Sequence, residues 1–121
     1  MSTLMERAKS AGAKCSPDQC RHIVKKALSL HPVLNDAKTV ERRARLFQAL
    51  GNETRIRILG LICVQEMCVC DIVAALSAAA STVAHHLRML EDAGLISTRQ
   101  DGKFTIYSVN LEAITRHRVF E

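Results

Sequence analysis

The sequence predicts a mainly α-helical fold that closes with a β-hairpin, and three patterns lead to this prediction. Apolar residues recur at helical spacing over most of the chain before the hairpin. Two β-prone runs, 95–99 and 103–109, are joined by Asp101-Gly102, which is a strong hairpin signal. The last two helices before the hairpin are short, and small residues at 77–80 join them. This order of elements predicts a winged helix-turn-helix.

The first two helices are bounded by residues that start or end helices. Ser16-Pro17 predicts a helix start, because Ser is a common cap and Pro is favoured in the first turn. That helix ends near His31-Pro32, and a turn leads into a second helix that stops at Gly51-Asn52. The predicted buried stripe of the second helix comprises Val40, Ala44, Phe47 and Leu50.

The third helix is predicted to begin near Glu53 and to point Arg55 and Arg57 outward. Its predicted buried stripe comprises Ile56, Leu59 and Ile62. The chain then breaks around residues 65–67, where the helical pattern is interrupted.

A short helix over 70–76 and a helix that opens at Ser81 follow this break. Gly94 ends the second of these, because Gly is the usual residue just past a helix. Its predicted buried stripe comprises Val83, Leu87, Leu90 and Ala93. After the hairpin, a short helix from Leu111 closes the chain.

Length and composition limit the class of protein. The 121 residues suffice for one domain with a modest core. We divide them into an N-terminal arm and thiol-bearing helix, 1–35, and a winged helix-turn-helix for DNA binding and dimerisation, 36–121. A net charge of +5 favours a polyanionic partner. No apolar run approaches the roughly 20 residues that span a bilayer, and the N-terminus lacks a signal-peptide core, so we expect a cytoplasmic protein without a membrane partner.

The helix from Ser81 has the layout of a DNA-recognition helix. Its polar edge comprises Ser81, Thr82, His85 and Arg88, opposite the apolar stripe. Short polar and cationic side chains in such a place contact base edges and phosphates. Arg99 and Lys103 on the hairpin could contact phosphates or the minor groove. An ordinary solvated face is the alternative for this helix alone, and the hairpin favours DNA binding.

His86 needs a separate interpretation. It lies on the same face as Val83 and Leu90, so we predict a packed, hydrogen-bonded histidine rather than a metal or DNA ligand. His85 points outward and is the better candidate for contact with DNA.

Cys68 and Cys70 begin a candidate site for a thiophilic metal. Thiolates suit ions such as Zn, Cd and Pb, and three or four are needed for one ion. Positions two apart on a helix point roughly 200° apart, so both thiols can bind one ion only if Cys68 lies outside the helix and the first turn is distorted. Cys15 and Cys20 complete a four-thiol set, with simple burial as the alternative for any of the four. Cys63 continues an apolar stripe and is predicted to pack in the core.

Three stretches together resemble the ArsR/SmtB family of metal-sensing repressors. They are Cys68-Val69-Cys70-Asp71, the segment Ala49-Leu50-Gly51-Asn52-Glu53-Thr54-Arg55 and His85-His86-Leu87. The resemblance covers about residues 40 to 110. It implies a dimeric winged helix whose metal-free form binds operator DNA, and whose DNA affinity falls when metal binds.

The N-terminal thiols make the chain most similar to the CadC branch, which senses cadmium, lead and zinc. In that branch, tail thiols of one protomer join the Cys-Val-Cys motif of the other. Cys68 and Cys70 match this motif. Cys15 and Cys20 match the tail thiols, except that four residues separate them where the branch has three.

The chain departs from the family pattern in three respects. Val73 stands where the arsenite-sensing branch often has a third Cys, so an arsenite site would need an N-terminal thiol. Leu111 and Ala113 stand where the zinc-sensing branch has Asp and His. Ala84 stands where the family often has Ser, so one expected DNA contact is missing.

These features predict a homodimeric repressor, not an enzyme, that Cd, Pb or Zn releases from double-stranded operator DNA. An arsenite-responsive repressor that binds As(III) with three of the same cysteines is one alternative. A thiol redox-switch repressor and a thiol-rich metal carrier are two more. The sequence contains no Cys-x-x-Cys motif, no convincing pair of nucleophile and base, and no nucleotide-binding glycine loop, so we expect no catalysis.

Overall fold

The structure, a computed structural model, describes residues 14–121. Most of the predicted N-terminal arm, residues 1–13, lies outside the described residues. The chain divides into two compact units, one that ends at Glu41 and one that spans Arg42–Glu121. We describe each unit by itself.

The first unit contains helix α1, Pro17–Leu30, and a short 3-10 turn, Pro32–Asn35. Ser16 begins α1 through a capping box. The Ser16 Oγ accepts from the backbone N–H of Gln19 at 3.2 Å, and the Gln19 Oε1 accepts from the backbone N–H of Ser16 at 2.8 Å. This confirms the predicted start of the first helix and its end near His31.

Helix α2, Ala37–Leu50, crosses from the first unit into the second. The second unit continues with helices and strands in the predicted order. These are α3 (Glu53–Val64), α4 (Val69–Leu76), α5 (Ala80–Asp92), β1 (Ile96–Asp101), β2 (Phe104–Val109) and α6 (Leu111–Arg116). The two strands pair antiparallel, from Ile96 opposite Val109 to Asp101 opposite Phe104. The predicted fold class, mainly α with a β-hairpin wing, is confirmed.

The core of the second unit lies where α3, α4, α5 and β1 meet. Its fully buried side chains include Ile58, Leu59, Ile72, Val83, Leu87, Leu90 and Leu95. The axes of α4 and α5 are bent by 115° across the turn that joins them, and Ser77 in this turn has a left-handed φ of 51°. The pair forms the helix-turn-helix, and its interior is the stripe predicted for α5.

Two apolar stripes differ from the prediction. On α2 the chain buries Leu46 and Ala49, while Phe47 is 58% exposed and Val40 is 39% exposed. Apolar residues cover more than one face of α2, so periodicity alone does not decide which face packs. On α3, Ile58 joins the buried set and Ile56 is half-buried.

Several predicted boundaries move by one or two residues. Helix α4 begins at Val69 rather than Cys70, and the strands span Ile96–Asp101 and Phe104–Val109 rather than 95–99 and 103–109. Helix α5 begins at Ala80 rather than Ser81, with Ala79 in the cap position. The hairpin turn is Gly102-Lys103 rather than Asp101-Gly102, because Asp101 already pairs with Phe104. Gly102 has φ 62°, a left-handed value that Gly adopts at low cost. It therefore suits both the predicted turn and the observed one, since it belongs to each.

Candidate nucleic-acid interface and thiol site

Helix α5 presents a polar edge to solvent. The predicted DNA-contacting residues on this helix, Ser81, Thr82, His85 and Arg88, are all exposed. On the opposite face Val83, Leu87 and Leu90 are completely buried. Packing against the core therefore fixes the rotation of α5 and leaves short polar and cationic groups free to contact a ligand.

His86 is half-buried on the inner side of α5, as predicted. Its Nδ1 lies 3.2 Å from a terminal nitrogen of Arg55, and its ring centroid lies 5.9 Å from that of His85. Burial, followed by the charges of Arg55 and His85, lowers the pKa of His86. The neutral imidazole is therefore the form that this environment favours.

Arg55 is the main residue that the sequence interpretation placed wrongly. We expected it outside, yet only 7% of it is exposed. Its guanidinium reaches back to the end of α2, where Nε donates to the Ala49 carbonyl at 2.8 Å and Nη2 donates to the Gln48 carbonyl at 3.1 Å. A helix C-terminus leaves such carbonyls without partners and carries partial negative charge, which explains the burial of this cation.

The β-hairpin carries polar pairs across its two strands. Ser97 Oγ lies 3.1 Å from Ser108 Oγ, and Gln100 Nε2 donates to Thr105 Oγ1 at 2.9 Å. At the tip, Lys103 is exposed, and its Nζ lies 5.5 Å from the centroid of the Phe104 ring. Lys103 is thus available to a polyanion, as expected of a wing.

Arg99, the other hairpin cation predicted to contact DNA, forms an ion pair within the protein. Its Nε and Nη2 donate to Glu66 Oε2 at 3.2 and 2.7 Å. The hydrogen bonds to Glu66 and the negative charge of Glu66 raise the pKa of Arg99 above its usual value. Arg99 is exposed and remains a candidate, but in this state its charge is balanced by Glu66, which the sequence interpretation had not singled out.

Cys68 occupies the cap position of α4, directly outside the helix. Its backbone N–H donates to Asp71 Oδ2 at 3.2 Å, and its thiol donates to the same oxygen at 3.3 Å. This is a capping box in which Cys68 takes the place usually held by Ser or Thr. Cys70 lies in the first turn and is exposed. One of the two conditions under which both thiols could contact one ion, that Cys68 lies outside the helix, is thereby met, and the other, distortion of the first turn, stays a prediction.

The residue before Cys68 joins the wing. Met67 and Tyr107 form an antiparallel bridge, with Tyr107 N donating to the Met67 carbonyl at 2.8 Å and Met67 N donating to the Tyr107 carbonyl at 3.2 Å. Burial and Glu91 raise the pKa of Tyr107, while Arg88 lowers it, so charges of α5 reach this side chain. Met67 therefore connects the residue before Cys68 with β2, at a side chain that charges on α5 also reach.

The N-terminal thiols flank the capping box of α1. Cys15 precedes the cap residue Ser16, and Cys20 is the fourth residue of the helix. Side chains at these two positions commonly pack against each other at a helix start. Both residues are half-buried, and an open groove on α1 is lined by Cys15, Asp18, Gln19, His22 and Ile23.

Cys63 is exposed near the end of α3, so the prediction that it packs in the core is wrong. The buried face of α3 consists of Arg55, Ile58, Leu59 and Ile62. Partial burial of the Cys63 thiol raises its pKa.

Within residues 14–121 of one chain, no group of three or more His, Cys, Asp or Glu side chains is arranged to hold a metal ion. Each unit contributes two of the four candidate thiols. The four-thiol set thus stays a prediction.

The helix-turn-helix of α4 and α5, followed by the hairpin, defines the class of protein: a winged helix-turn-helix DNA-binding protein. A family model for bacterial regulatory proteins of the arsR family matches residues 52–98. An uncharacterised HTH-type transcriptional regulator of Methanocaldococcus jannaschii is 37% identical over 70 residues, which are 57% of this chain and 79% of that protein. The chain belongs to the ArsR family of transcriptional regulators, which is not a family of enzymes.

Two further comparisons give more detail. A homologue of the cadmium resistance transcriptional regulatory protein CadC from Staphylococcus aureus is 35% identical over 72 residues. The match covers 59% of this chain and 60% of the length of that relative. The homodimeric winged helix-turn-helix domain of a possible ArsR-family regulator from Mycobacterium bovis superposes with a TM-score of 0.62 and 30% identity, covering 67% of this chain and 75% of that one.

Among the described helices, none is long and apolar enough by itself to cross a membrane. Helices α4 and α5 would pass that test only as a bent pair, and then by length and composition alone.

Proposed function

We propose that this chain is a metal-responsive transcriptional repressor. In this proposal a homodimer binds operator DNA through α5 and the wing. A thiophilic ion such as Cd, Pb or Zn releases the DNA by binding Cys15, Cys20, Cys68 and Cys70.

The observation that carries the proposal is the position of Cys68. It caps α4, the first helix of the helix-turn-helix, and it follows Met67, which pairs with the wing. A change at Cys68 therefore acts where α4, the helix that precedes α5 in the helix-turn-helix, meets the wing.

The chemistry of the cap suggests how binding of an ion is coupled to DNA release. Thiols bind such ions as thiolates, so Cys68 must give up the proton that it donates to Asp71. The cap of α4 then loses one of its hydrogen bonds, and two anionic groups lie side by side. A coupling free energy of about 1–3 kcal/mol at this junction would change DNA affinity about 5- to 150-fold.

The proposed set of ligands fits a soft cation. Four thiols are a common complete set for Zn and similar ions. Two thiols lie at the cap of α4 and two flank the cap of α1. We propose that the N-terminal pair of one protomer joins Cys68 and Cys70 of the other.

Large apolar residues that remain exposed support the homodimer. Phe47, Leu111 and Phe120 are 58%, 65% and 50% exposed in the single chain. Exposed apolar side chains of this size are typical of surfaces that a second protein covers. The related domain from Mycobacterium bovis is homodimeric.

The test compares cysteine variants on DNA. A duplex is first selected from a random library by the wild-type chain, and its binding is followed by fluorescence anisotropy as cadmium chloride is added. We expect Cys68→Ser and Cys70→Ser to bind the duplex like the wild type and to stay bound when cadmium is added. Absorbance of thiolate-to-metal bonds in the ultraviolet is measured in parallel.

Cys63→Ser is the matched control, since it removes an exposed thiol outside the proposed set. It should be released as the wild type is. Release of Cys68→Ser at the wild-type cadmium concentration would refute the proposal. Release by peroxide but not by cadmium would instead identify a redox switch, and metal binding without selection of any duplex would identify a metal carrier.

A further inference from the structure

The Arg55 side chain joins three helices at one point. Two of its nitrogens donate to backbone carbonyls at the end of α2, and the third lies 3.2 Å from Nδ1 of His86 on α5. Arg55 itself belongs to the first turn of α3, where its backbone N–H donates to the Asn52 cap at 3.1 Å. The pair of Arg55 and His86 is thus a polar contact of α5 with the body of the domain, on the side opposite its solvent-facing edge.

Only one protonation state of His86 supports this contact. Arginine is always charged and can only donate, so Nδ1 of His86 must accept and the ring proton must lie on Nε2. A doubly protonated ring has no acceptor and would place a second positive charge beside the guanidinium. Within the described chain, the ionisable groups that act on His86 are Arg55 from α3 and His85 from α5.

We propose that Arg55 and neutral His86 form a positioning pair that sets the orientation of α5 for DNA recognition. Neither side chain needs to touch DNA. The inference rests on the proposed use of α5 as the recognition helix, and it is independent of the metal site.

Acidification should therefore weaken DNA binding. The pKa of His86 is lowered, so the contact is complete above the usual histidine value of about 6.5 and is lost as the pH falls through the lower value in the folded protein.

Two substitutions at position 86 test this expectation. His86→Asn keeps an acceptor near the place of Nδ1 but cannot be protonated, and His86→Leu keeps the bulk but removes the acceptor. The three proteins are identical at every other position, so the comparison isolates the side chain at position 86. The dissociation constant for the selected duplex is measured without metal between pH 8 and pH 5.5 for each protein.

We expect the wild type to lose affinity relative to His86→Asn as the pH falls. His86→Leu should bind about 10- to 100-fold more weakly than the wild type at pH 8, the range expected for loss of a hydrogen bond to a charged group. If His86→Leu does not fold, as judged by circular dichroism, the comparison with His86→Asn decides alone.

Parallel pH profiles for the wild type and His86→Asn would overturn the inference and leave the proposed function standing. Selection of no duplex by the wild type would overturn both. Loss of the cadmium response with the pH difference intact would count against the metal site only.

Discussion

At the scale of single residues, the surroundings of Arg55 explain why a charge is buried in so small a core. An unpaired buried charge destabilises a fold strongly. Each of the three guanidinium nitrogens of Arg55, however, has a hydrogen-bond acceptor. Within residues 14–121, no buried side-chain nitrogen or oxygen lacks a hydrogen-bond partner. The guanidinium thus replaces the solvent that would otherwise satisfy the end of α2.

Arg55→Met should lower the free energy of unfolding by about 2–4 kcal/mol, because it leaves the Ala49 carbonyl and the His86 imidazole without their donor. The Gln48 carbonyl loses one of its two donors and keeps the Gly51 backbone N–H at 3.2 Å. Arg57→Met is the matched control on the same helix. Arg57 is exposed and lies 3.7 Å from Glu53, so its loss should change stability by about 0.5 kcal/mol or less. Urea unfolding followed by circular dichroism measures both, and equal midpoints would contradict the role of Arg55.

Sequence reasoning had no means of placing Arg55. Helical periodicity put it on the outer face of α3, and periodicity describes one helix at a time. The contact with Gln48 and Ala49 depends on how α2 and α3 meet across Gly51-Asn52, which is a tertiary property. His86 could be interpreted correctly, because its position among Val83 and Leu90 follows from α5 alone.

At the scale of elements, the segment between α3 and α4 belongs to the wing as much as to the helix-turn-helix. Glu66 holds Arg99 on β1, Met67 pairs with Tyr107 on β2, and Cys68 caps α4. Three consecutive residues thus connect three elements. The wing cannot shift relative to the start of α4 without breaking one of these contacts.

Glu66→Gln should tighten binding to DNA. The substitution frees Arg99 for a phosphate, so the plot of log affinity against log salt should steepen by about 0.9 for each additional phosphate that the protein neutralises. Stability should fall by about 1 kcal/mol at most, because the pair is exposed.

Glu53→Gln makes the same change in charge, but its partner is Arg57 on α3. It should leave the salt dependence nearly unchanged. Identical slopes for the two variants, measured on the selected duplex over a series of salt concentrations, would mean that Glu66 does not restrain Arg99.

The elements themselves could be predicted because their signals are local. Ser16, Gly94 and Gly102 mark a cap, a helix end and a turn through their own chemistry. The start of α5 was harder, since Ala79 and Ala80 carry no capping group and Ser81 does. The bridge between Met67 and Tyr107 could not be predicted, because it joins residues that are distant in sequence and involves only backbone atoms.

At the scale of the whole molecule, the sequence indicates a polyanionic partner clearly. It indicates less clearly how the four candidate thiols come together. The net charge of +5 and the exposed edge of α5 agree with a polyanionic partner. The thiols at 15, 20, 68 and 70 are each at a helix start, as their spacing suggested. In the proposed homodimer these thiols come together through contacts between protomers, and no pattern within one sequence specifies such contacts.

The proposed homodimer leads to the last prediction. Leu111 is 65% exposed on α6 and lines an open groove with Glu112, Thr115 and Arg116. We expect Leu111→Glu to shift the protein from dimer to monomer in sedimentation velocity, because a buried interface cannot accommodate an unpaired charge. Affinity for the selected duplex should fall with it, since a dimer binds two half-sites at once. Phe104→Glu, the same charge change at an exposed apolar residue of the wing, should leave the dimer intact, and a dimeric Leu111→Glu would place the interface elsewhere.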